Sequence, residues 1–479
     1  MREPLVLAID QGTTGTTCLV VDRELRTRGR GYAELRQHFP RPGWVEHDPE
    51  EIWTTVEAAA EAALGAAGAE ARYLTALGIA NQRETTLLWS RETGRPLHRA
   101  IVWQDRRTAA RCAELPAGLI RKRTGLLPDP YFSATKLEWL LAETGAGAEA
   151  AFGTVDSWLV WKLTGGARHV TEVGNASRTL LFALREVGWD DELLELFGVP
   201  RSVLPEIVGS SEVVGEADLL GARIPLAGIA GDQQAALFGQ ACFEPGEAKA
   251  TYGTGCFVLA NAGADAGAAP EGLVRTVAWR VGGGEVVYAL EGSIFVTGAA
   301  LRWLRDGLCV LGDAAESEEL ALAAGDNHGV YFVPALAGLG SPHWAPAARG
   351  LLAGLTAGVR REHLVRAALE AVAYQTRDVT DAMGRGLEVL RADGGQTANG
   401  FLMQLVADLV RLPVEVPVER DTTALGAAAL AGLAVGIWSS PAELASLRRV
   451  AKRYEPRLPE PEADRLLAGW RDAVARALL

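Results

Sequence analysis

Two similar Gly/Thr segments, DQGTTG at 10–15 and TYGTGC at 251–256, open the two halves of the chain. The first lies between two strand patterns, 5–9 and 18–22, and therefore predicts a hairpin. The second also lies in a strand-rich region. The repetition predicts two similar lobes that face one nucleotide, and its spacing is far too long for a solenoid repeat.

Strand patterns alternate with helix patterns along the chain, which indicates an α/β fold. One helix is expected to begin at Asp48, with Pro49 in its first turn. Another, amphipathic helix is expected around 362–383. We expect the first lobe to cover residues 1–241 and the second to cover residues 242–479.

Composition excludes several classes of protein. The 479 residues include 47 basic and 60 acidic side chains, a net charge of −13, which argues against a nucleic-acid or anionic-membrane binder.

The longest uncharged apolar stretch, 424–438, has 15 residues. It is shorter than the roughly 20 residues of a membrane span and predicts a buried helix. The five cysteines form no CxxC pair, and the start MREPLVLAID shows no signal region, so a cytoplasmic protein is expected.

The segment after the first strand can bind phosphate. A Gly/Thr turn offers backbone N–H groups and the hydroxyls of Thr13 and Thr14, and Asp10 can hold Mg²⁺ directly or through water. A plain hairpin turn with a capping aspartate explains the segment equally well. Neither GxxxxGK[ST] nor, at this turn, GxGxxG is present, so the turn is neither a Walker A loop nor a Rossmann fingerprint.

Two further segments carry charged candidates. Asp232 follows an apolar run, 224–230, and suits a general base or metal ligand, although a helix cap is an equal alternative. Arg83 and Glu84 suit vicinal hydroxyl groups, provided that they lie in a loop at a strand end. On that segment alone, a structural Arg–Glu network is the favoured interpretation.

Three aromatic residues, Trp103, Tyr131 and Phe257, are candidates for a ligand wall, although any single aromatic residue more often belongs to the core. The seven histidines form no HExxH motif, which disfavours a metal hydrolase.

Motifs spread across the chain carry a family resemblance. They include DQGTT at 10–14, PGWVEHDPEEIW at 42–53, NQRETT at 81–86, AIVWQDRRT at 100–108, DPYFSATK at 129–136, NASRTLLF at 175–182, GIAGDQQAALFGQ at 228–240, TYGTGCF at 251–257, ALEG at 289–292 and TALGAAALAGLAVGIW at 423–438. In this order they cover essentially the whole chain. The chain resembles the FGGY carbohydrate kinases, and the glycerol kinases among them most.

The resemblance implies two RNase-H-like (actin-like ATPase) lobes with ATP and glycerol in the cleft, and Mg²⁺-assisted transfer of phosphate to glycerol. The implied glycerol pocket consists of Arg83, Glu84, Trp103, Tyr131, Asp232, Gln233 and Phe257. The implied nucleotide contacts are Thr13, Thr14, Thr254, Gly298, Gly395 and Asn399. Asp10 and Asp232 would lie near the Mg²⁺–phosphate region, with Asp232 as the general base. A homodimer or homotetramer is implied as well.

Three positions depart from the family pattern. Thr17 stands where many members have an arginine that contacts the phosphates, so either backbone N–H groups or another basic residue compensate, or ATP binding is weaker. Ala345 stands in place of an acidic residue, and Gly400 follows Asn399 where a second asparagine is common.

Two alternative functions remain. One is an FGGY kinase for another small polyol or ketose, which the NQRETT motif and Tyr131 disfavour. The other is a non-catalytic actin-like nucleotide switch. The retention of Asp10, Arg83, Glu84 and Asp232 argues against the switch.

Overall fold

The structure is a computed structural model that describes residues 3–384 and 386–479. The strands of the first half are β1 (Leu5–Gln11), β2 (Gly15–Val21), β3 (Thr27–Glu34), β4 (Glu46–His47), β5 (Leu74–Asn81), β6 (Leu87–Ser90), β7 (Ala100–Ile101), β8 (Ala150–Gly153), β9 (Val170–Glu172), β10 (Phe182–Ala183), β11 (Gly188–Trp189), β12 (Glu206–Val208), β13 (Ser211–Leu219) and β14 (Ala222–Gly231). Its helices are α1 (Pro49–Ala67), α2 (Ala109–Ala113), α3 (Ala117–Thr124), α4 (Ser133–Thr144), α5 (Val155–Leu163), α6 (Val173–Ala176), α7 (Asp191–Leu196) and α8 (Asp232–Gly239).

The second half follows the same alternation of strands and helices. Its strands are β15 (Glu247–Tyr252), β16 (Cys256–Gly263), β17 (Val274–Arg280), β18 (Val286–Ile294), β19 (Tyr331–Val333), β20 (Leu351–Ala353), β21 (Val389–Asp393), β22 (Val414–Pro417) and β23 (Val450–Tyr454). Its helices are α9 (Gly298–Asp306), α10 (Ser317–Ala323), α11 (Arg361–Met383), α12 (Gly400–Val410), α13 (Thr422–Ala434), α14 (Pro441–Leu447) and α15 (Glu460–Ala477).

Each half is built on one large sheet, and the two sheets share a connection pattern. The first has the order β13-β14-β5-β1-β2-β3, and the second has the order β17-β18-β16-β15-β21-β22-β23. In each, an antiparallel hairpin (β1–β2 or β15–β16) continues through its first strand into two parallel strands (β5 and β14, or β21 and β22). The α/β fold with two similar lobes is therefore confirmed.

The two Gly/Thr segments form the turns of these equivalent hairpins. In the first turn the Gly12 N–H donates to the Gly15 carbonyl at 2.9 Å, and in the second the Gly253 N–H donates to the Gly255 carbonyl at 2.9 Å. The first strand runs two residues further than the sequence pattern indicated, so Asp10 lies within β1. Both turns thus sit at the same end of their respective sheets.

Two helices begin where local signals place them. The Asp48 carboxylate caps α1 by accepting from the Glu50 N–H at 2.9 Å, and Pro49 occupies the first turn, where its missing N–H costs nothing. Helix α11 covers residues 361–383, so the amphipathic pattern is confirmed.

Helix α13 belongs to the second half of the chain but packs on the sheet of the first. Gly78 of β5 and Gly228 of β14 each lie against the backbone of Ala427, and Gly426 lies against the Ala235 carbonyl of α8. A side chain at any of these glycines would separate the layers. The predicted buried helix is therefore confirmed as α13, and it joins the two halves. No helix in the described parts of the chain is both long and apolar enough to cross a bilayer.

Candidate active site

The turn after β5 holds Arg83 and Glu84. Strand β5 ends at Asn81, and Glu84 has a left-handed backbone (φ 60°), so the two side chains do not alternate as they would in a strand. Both side chains are buried, with 2% and 1% of their surface exposed. Arg83 and Glu84 therefore lie in a loop at a strand end, the condition under which both side chains can contact one ligand.

Acceptors surround the Arg83 guanidinium. Nη1 donates to Glu291 Oε2 at 2.5 Å and to Gln234 Oε1 at 3.3 Å, while Nη2 donates to the Tyr131 hydroxyl at 3.1 Å and to Glu291 Oε1 at 3.2 Å. Nε lies 3.3 Å from Asp232 Oδ1. A buried Arg–Glu network therefore exists. The Nε edge of Arg83 faces Asp232, the candidate base, whose side chain is partly exposed.

Asp232 begins α8 directly after β14. Because β14 runs parallel to β5, with Gly231 opposite Asn81, Asp232 and Arg83 leave the sheet at the same edge. The carboxylate accepts from the Gln233 N–H at 2.7 Å and from Gln233 Nε2 at 3.1 Å. Its side chain is 30% exposed, so among these charged groups it is the most accessible to a ligand in the cleft.

Lys249 of β15 orients Gln233 from the second half of the chain. Its fully buried ammonium donates to Gln233 Oε1 and to Thr251 Oγ1, the latter at 2.9 Å. Burial lowers the pKa of Lys249, while the nearby carboxylates of Asp393 and Asp232 favour its charged form. Since the Gln233 oxygen is occupied, its amide N–H faces Asp232.

The three predicted aromatic residues meet beside Arg83. The Trp103 ring packs edge-on against Tyr131 (centroids 5.6 Å apart) and against Phe257 (6.3 Å), and the Arg83 Cζ lies 5.8 Å from the Phe257 ring. The Trp103 indole donates to Thr13 Oγ1 at 2.9 Å. These contacts form an apolar wall that runs from the first Gly/Thr turn to β16.

Asp10 belongs to a group of mutually repelling carboxylates. Burial, together with the charges of Asp232 and Asp421, raises the pKa of Asp10 to about 8, and Arg30 opposes the shift. No side chain or N–H in the described residues donates a hydrogen bond to this carboxylate. A carboxylate without a protein hydrogen-bond donor suits a hard divalent cation, so Asp10, with the partly exposed Asp232 carboxylate near it, fits the implied Mg²⁺.

A cavity of about 460 Å³ continues from the second Gly/Thr turn into the second half of the chain. Its lining includes Gly253, Gly298, Leu301, Ser317, Glu318, Leu369, Gly395, Gln396, Asn399 and Leu402. A Cβ added at Gly395 would meet nothing within 4 Å, so this glycine faces open space. The volume and the largely apolar lining suit a nucleoside.

The other predicted nucleotide residues lie around this cavity or at the first turn. Thr254 accepts a hydrogen bond from Arg302 Nη2 at 3.0 Å and stands beside the start of α9. Asn399 caps α12 by accepting from the Leu402 N–H at 2.8 Å, so its side chain has a structural role as well. Thr14 is exposed in the first turn, and its carbonyl accepts from the Tyr32 hydroxyl at 3.2 Å.

A basic residue stands close to the position that lacks the family arginine. Thr17 lies opposite Asp10 on β2, and Arg30 lies on the same face of the next strand, opposite Leu19. The Arg30 side chain is half exposed and donates to Asp421 Oδ2 at 3.1 Å. Arg30 can therefore supply the positive charge that Thr17 cannot.

The two remaining departures have different structural contexts. A Cβ at Gly400 would lie 2.9 Å from Glu318 Oε1, so a larger residue there requires Glu318 to move. Ala345 pairs its backbone with Leu339, and nothing in the structure explains the loss of an acidic side chain.

Sequence reasoning missed three buried charges of the site: Arg178, Lys249 and Glu291. Each has 0% of its surface exposed, and Glu291 sits inside the largely apolar strand VVYALEGSI. A charge in such a strand needs a buried partner, and that signal was available. The identity of the partner could not be predicted from the sequence, because it depends on the fold.

The fold and this site define a two-lobed sugar-kinase type of protein. The N-terminal domain model of the FGGY family of carbohydrate kinases matches residues 5–239, and the C-terminal domain model matches residues 248–435. The chain therefore belongs to the FGGY family of carbohydrate kinases.

Within that family, glycerol kinases are among the similar proteins. Glycerol kinase 2 of Thermotoga maritima is 52% identical over 99% of this chain and 98% of its own length. Glycerol kinase of Thermococcus kodakarensis is 52% identical over 99% and 97%. The crystal structure of Plasmodium falciparum glycerol kinase with ADP is 35% identical, with a TM-score of 0.92 over 100% of this chain and 99% of that one.

Proposed function

We propose that this protein transfers the γ-phosphoryl group of ATP to glycerol, forming sn-glycerol 3-phosphate and ADP. The observation that carries the proposal is the half-buried Asp232 carboxylate, which lies 3.3 Å from Arg83 Nε at the cleft edge. The full-length similarity to glycerol kinases supports the choice of glycerol over a ketose.

Asp232 is proposed as the general base. A glycerol hydroxyl oxygen attacks the γ-phosphorus, the bond to the β–γ bridging oxygen breaks, and ADP leaves. The hydroxyl proton passes to the Asp232 carboxylate, a role that contributes about 10²–10⁴-fold in rate. The Nε edge of Arg83, which faces Asp232, and the Gln233 amide suit hydroxyl groups of the acceptor, and Trp103 and Phe257 suit its carbon chain.

The remaining catalysis is alignment and charge neutralisation. The Gly12–Gly15 and Gly253–Gly255 turns offer backbone N–H groups, and the Thr13 and Thr254 hydroxyls lie beside them. Mg²⁺ held near Asp10 and Asp232 would neutralise phosphate charge when bound. The apolar wall excludes water, which is a competing acceptor smaller than glycerol.

An acceptor panel tests the function. We expect ADP to form from ATP and Mg²⁺ with glycerol, at rates far above those with dihydroxyacetone, erythritol, xylulose or ribulose. ADP formation that is selective for a ketose would replace the proposal by a sister activity. The absence of acceptor-dependent ADP formation would favour a nucleotide switch.

Cytoplasmic location and a dimeric or tetrameric assembly stay predictions.

Arg30 is proposed to contact the ATP phosphates in place of the missing arginine at position 17. Arg30→Met should raise the KM for ATP by about tenfold, the worth of one charge-assisted hydrogen bond, with the KM for glycerol unchanged. Arg28→Met is the matched control, since Arg28 lies two residues away on the same strand and pairs with Asp22. Equal ATP affinities in the two variants would remove Arg30 from the site.

A further inference from the structure

The acceptor site of the first half is completed by a carboxylate from the second half. Glu291 lies in the middle of β18, and it reaches Arg83 across 208 positions of sequence. Its two oxygens bind different atoms of the same guanidinium, Oε2 with Nη1 at 2.5 Å and Oε1 with Nη2 at 3.2 Å. This paired geometry holds the plane of the Arg83 side chain as well as its position.

A second arginine closes the arrangement. Arg178 Nη2 donates to Glu291 Oε1 at 2.8 Å, and Arg178 Nε donates to Glu84 Oε1 at 2.7 Å. The four side chains form a closed group of two cations and two anions, which we call the charge quartet: Arg83, Glu84, Arg178 and Glu291. At most 2% of each side chain is exposed. Bulk water therefore cannot substitute for any missing member.

The members of the charge quartet are not equivalent. Glu291 contacts both guanidinium groups, and despite burial their charges lower its pKa to about 2. Glu84 contacts Arg178 closely but lies 3.8 Å from Arg83 Nε, and burial raises its pKa. Glu291 is thus the firmly ionised partner that fixes Arg83, and Asp232 is left to face the remaining Nε edge.

We propose that Glu291 is a positioning residue for the acceptor: by holding both Nη atoms of Arg83, it directs the Nε edge of the guanidinium toward Asp232 and the acceptor site. The proposal deepens the proposed function and rests on it. It also makes the acceptor site dependent on correct docking of β18 against the turn after β5. If the guanidinium of an acceptor-binding arginine is turned away from its productive orientation, it loses hydrogen bonds to the substrate.

A substitution at Glu291 with a matched control separates positioning from stability. Glu291→Gln keeps the shape and removes the charge, and we expect it to raise the KM for glycerol about tenfold or more. The KM for ATP should stay within about twofold, because the nucleotide cavity does not use this group. Melting temperatures are recorded for every variant.

Glu370→Gln is the control. Glu370 is buried in α11, 1% exposed, and accepts from Arg366 Nε at 2.8 Å and from Asn327 Nδ2 at 2.9 Å. The same change there should lower the melting temperature while leaving the KM for glycerol unchanged. If the two variants lose stability and shift the glycerol KM alike, or if folded Glu291→Gln keeps the wild-type KM, the proposal is overturned.

A double-mutant cycle tests whether Glu291 acts through Arg83. On an Arg83→Met background, Glu291→Gln should add little to the KM for glycerol, whereas a full multiplicative effect contradicts the proposal. Should Glu291→Gln fail to fold, Glu291→Asp keeps the charge one methylene further back and should still raise the KM. If the wild type uses another acceptor, the proposed function fails, and the same cycle with that acceptor decides the role of Glu291.

Discussion

Replacing Asp232 by asparagine is expected to lower kcat by about 10²-fold or more while the KM for glycerol changes little. The amide keeps the size and one acceptor oxygen, and it can still accept from the Gln233 N–H, so α8 should begin normally. What it loses is the ability to take a proton from the attacking hydroxyl. Steady-state rates of ADP formation with saturating ATP measure the effect.

Asp190→Asn provides the control for this change. Asp190 also stands at the start of a helix, where it accepts from the Glu192 N–H at 2.9 Å, but it lies outside the cleft residues described above. Asparagine caps helices about as well as aspartate, so wild-type turnover is expected. Near-normal kcat in Asp232→Asn would take the base role away from Asp232.

Replacing Arg83 by alanine is expected to affect binding and stability together. The change removes the cation that faces Asp232 and one of the two guanidinium groups that hold Glu291, and breaking a buried pair in this way costs about 3–5 kcal/mol in free energy of unfolding. The lost contacts to the acceptor should also raise the KM for glycerol about 10- to 100-fold. Thermal unfolding and glycerol titration of the rate give the two numbers.

Arg107→Ala separates the two effects. Arg107 has 1% of its side chain exposed and pairs with Glu46 and Asp105 at 2.8 Å, within the same half of the chain. Its loss should destabilise the protein to a similar degree without changing the KM for glycerol. An unchanged glycerol KM in Arg83→Ala would mean that the Arg–Glu network is structural only.

Local signals were sufficient for much of the fold. The Asp48-Pro49 start of α1 and the hairpin around Gly12 depend on residues next to one another, whose backbone preferences act within a single turn. The period of α11 likewise needs only one face to be apolar. The position of Asp232 at a strand end could be predicted for the same reason, since the apolar run before it is β14.

Contacts between distant segments were out of reach. Nothing near Arg83 indicates that its partner is Glu291, because the pairing depends on how β18 docks against the first half. The packing of α13 on β5 was equally hidden, although Gly78 and Gly426 in an apolar context hinted at close backbone approach. Sequence patterns predict helices, strands and strand ends, whereas the pairing of charged residues from distant segments depends on the tertiary packing.

The most direct measurement is a crystal structure of the protein with glycerol and a non-hydrolysable ATP analogue. The account predicts density for glycerol between the two sheets, with one hydroxyl within hydrogen-bond distance of the Asp232 carboxylate and facing the terminal phosphate, and with Arg83 still held by Glu291. Glycerol bound elsewhere, or an Asp232 side chain turned away from every hydroxyl of a bound glycerol, would contradict it.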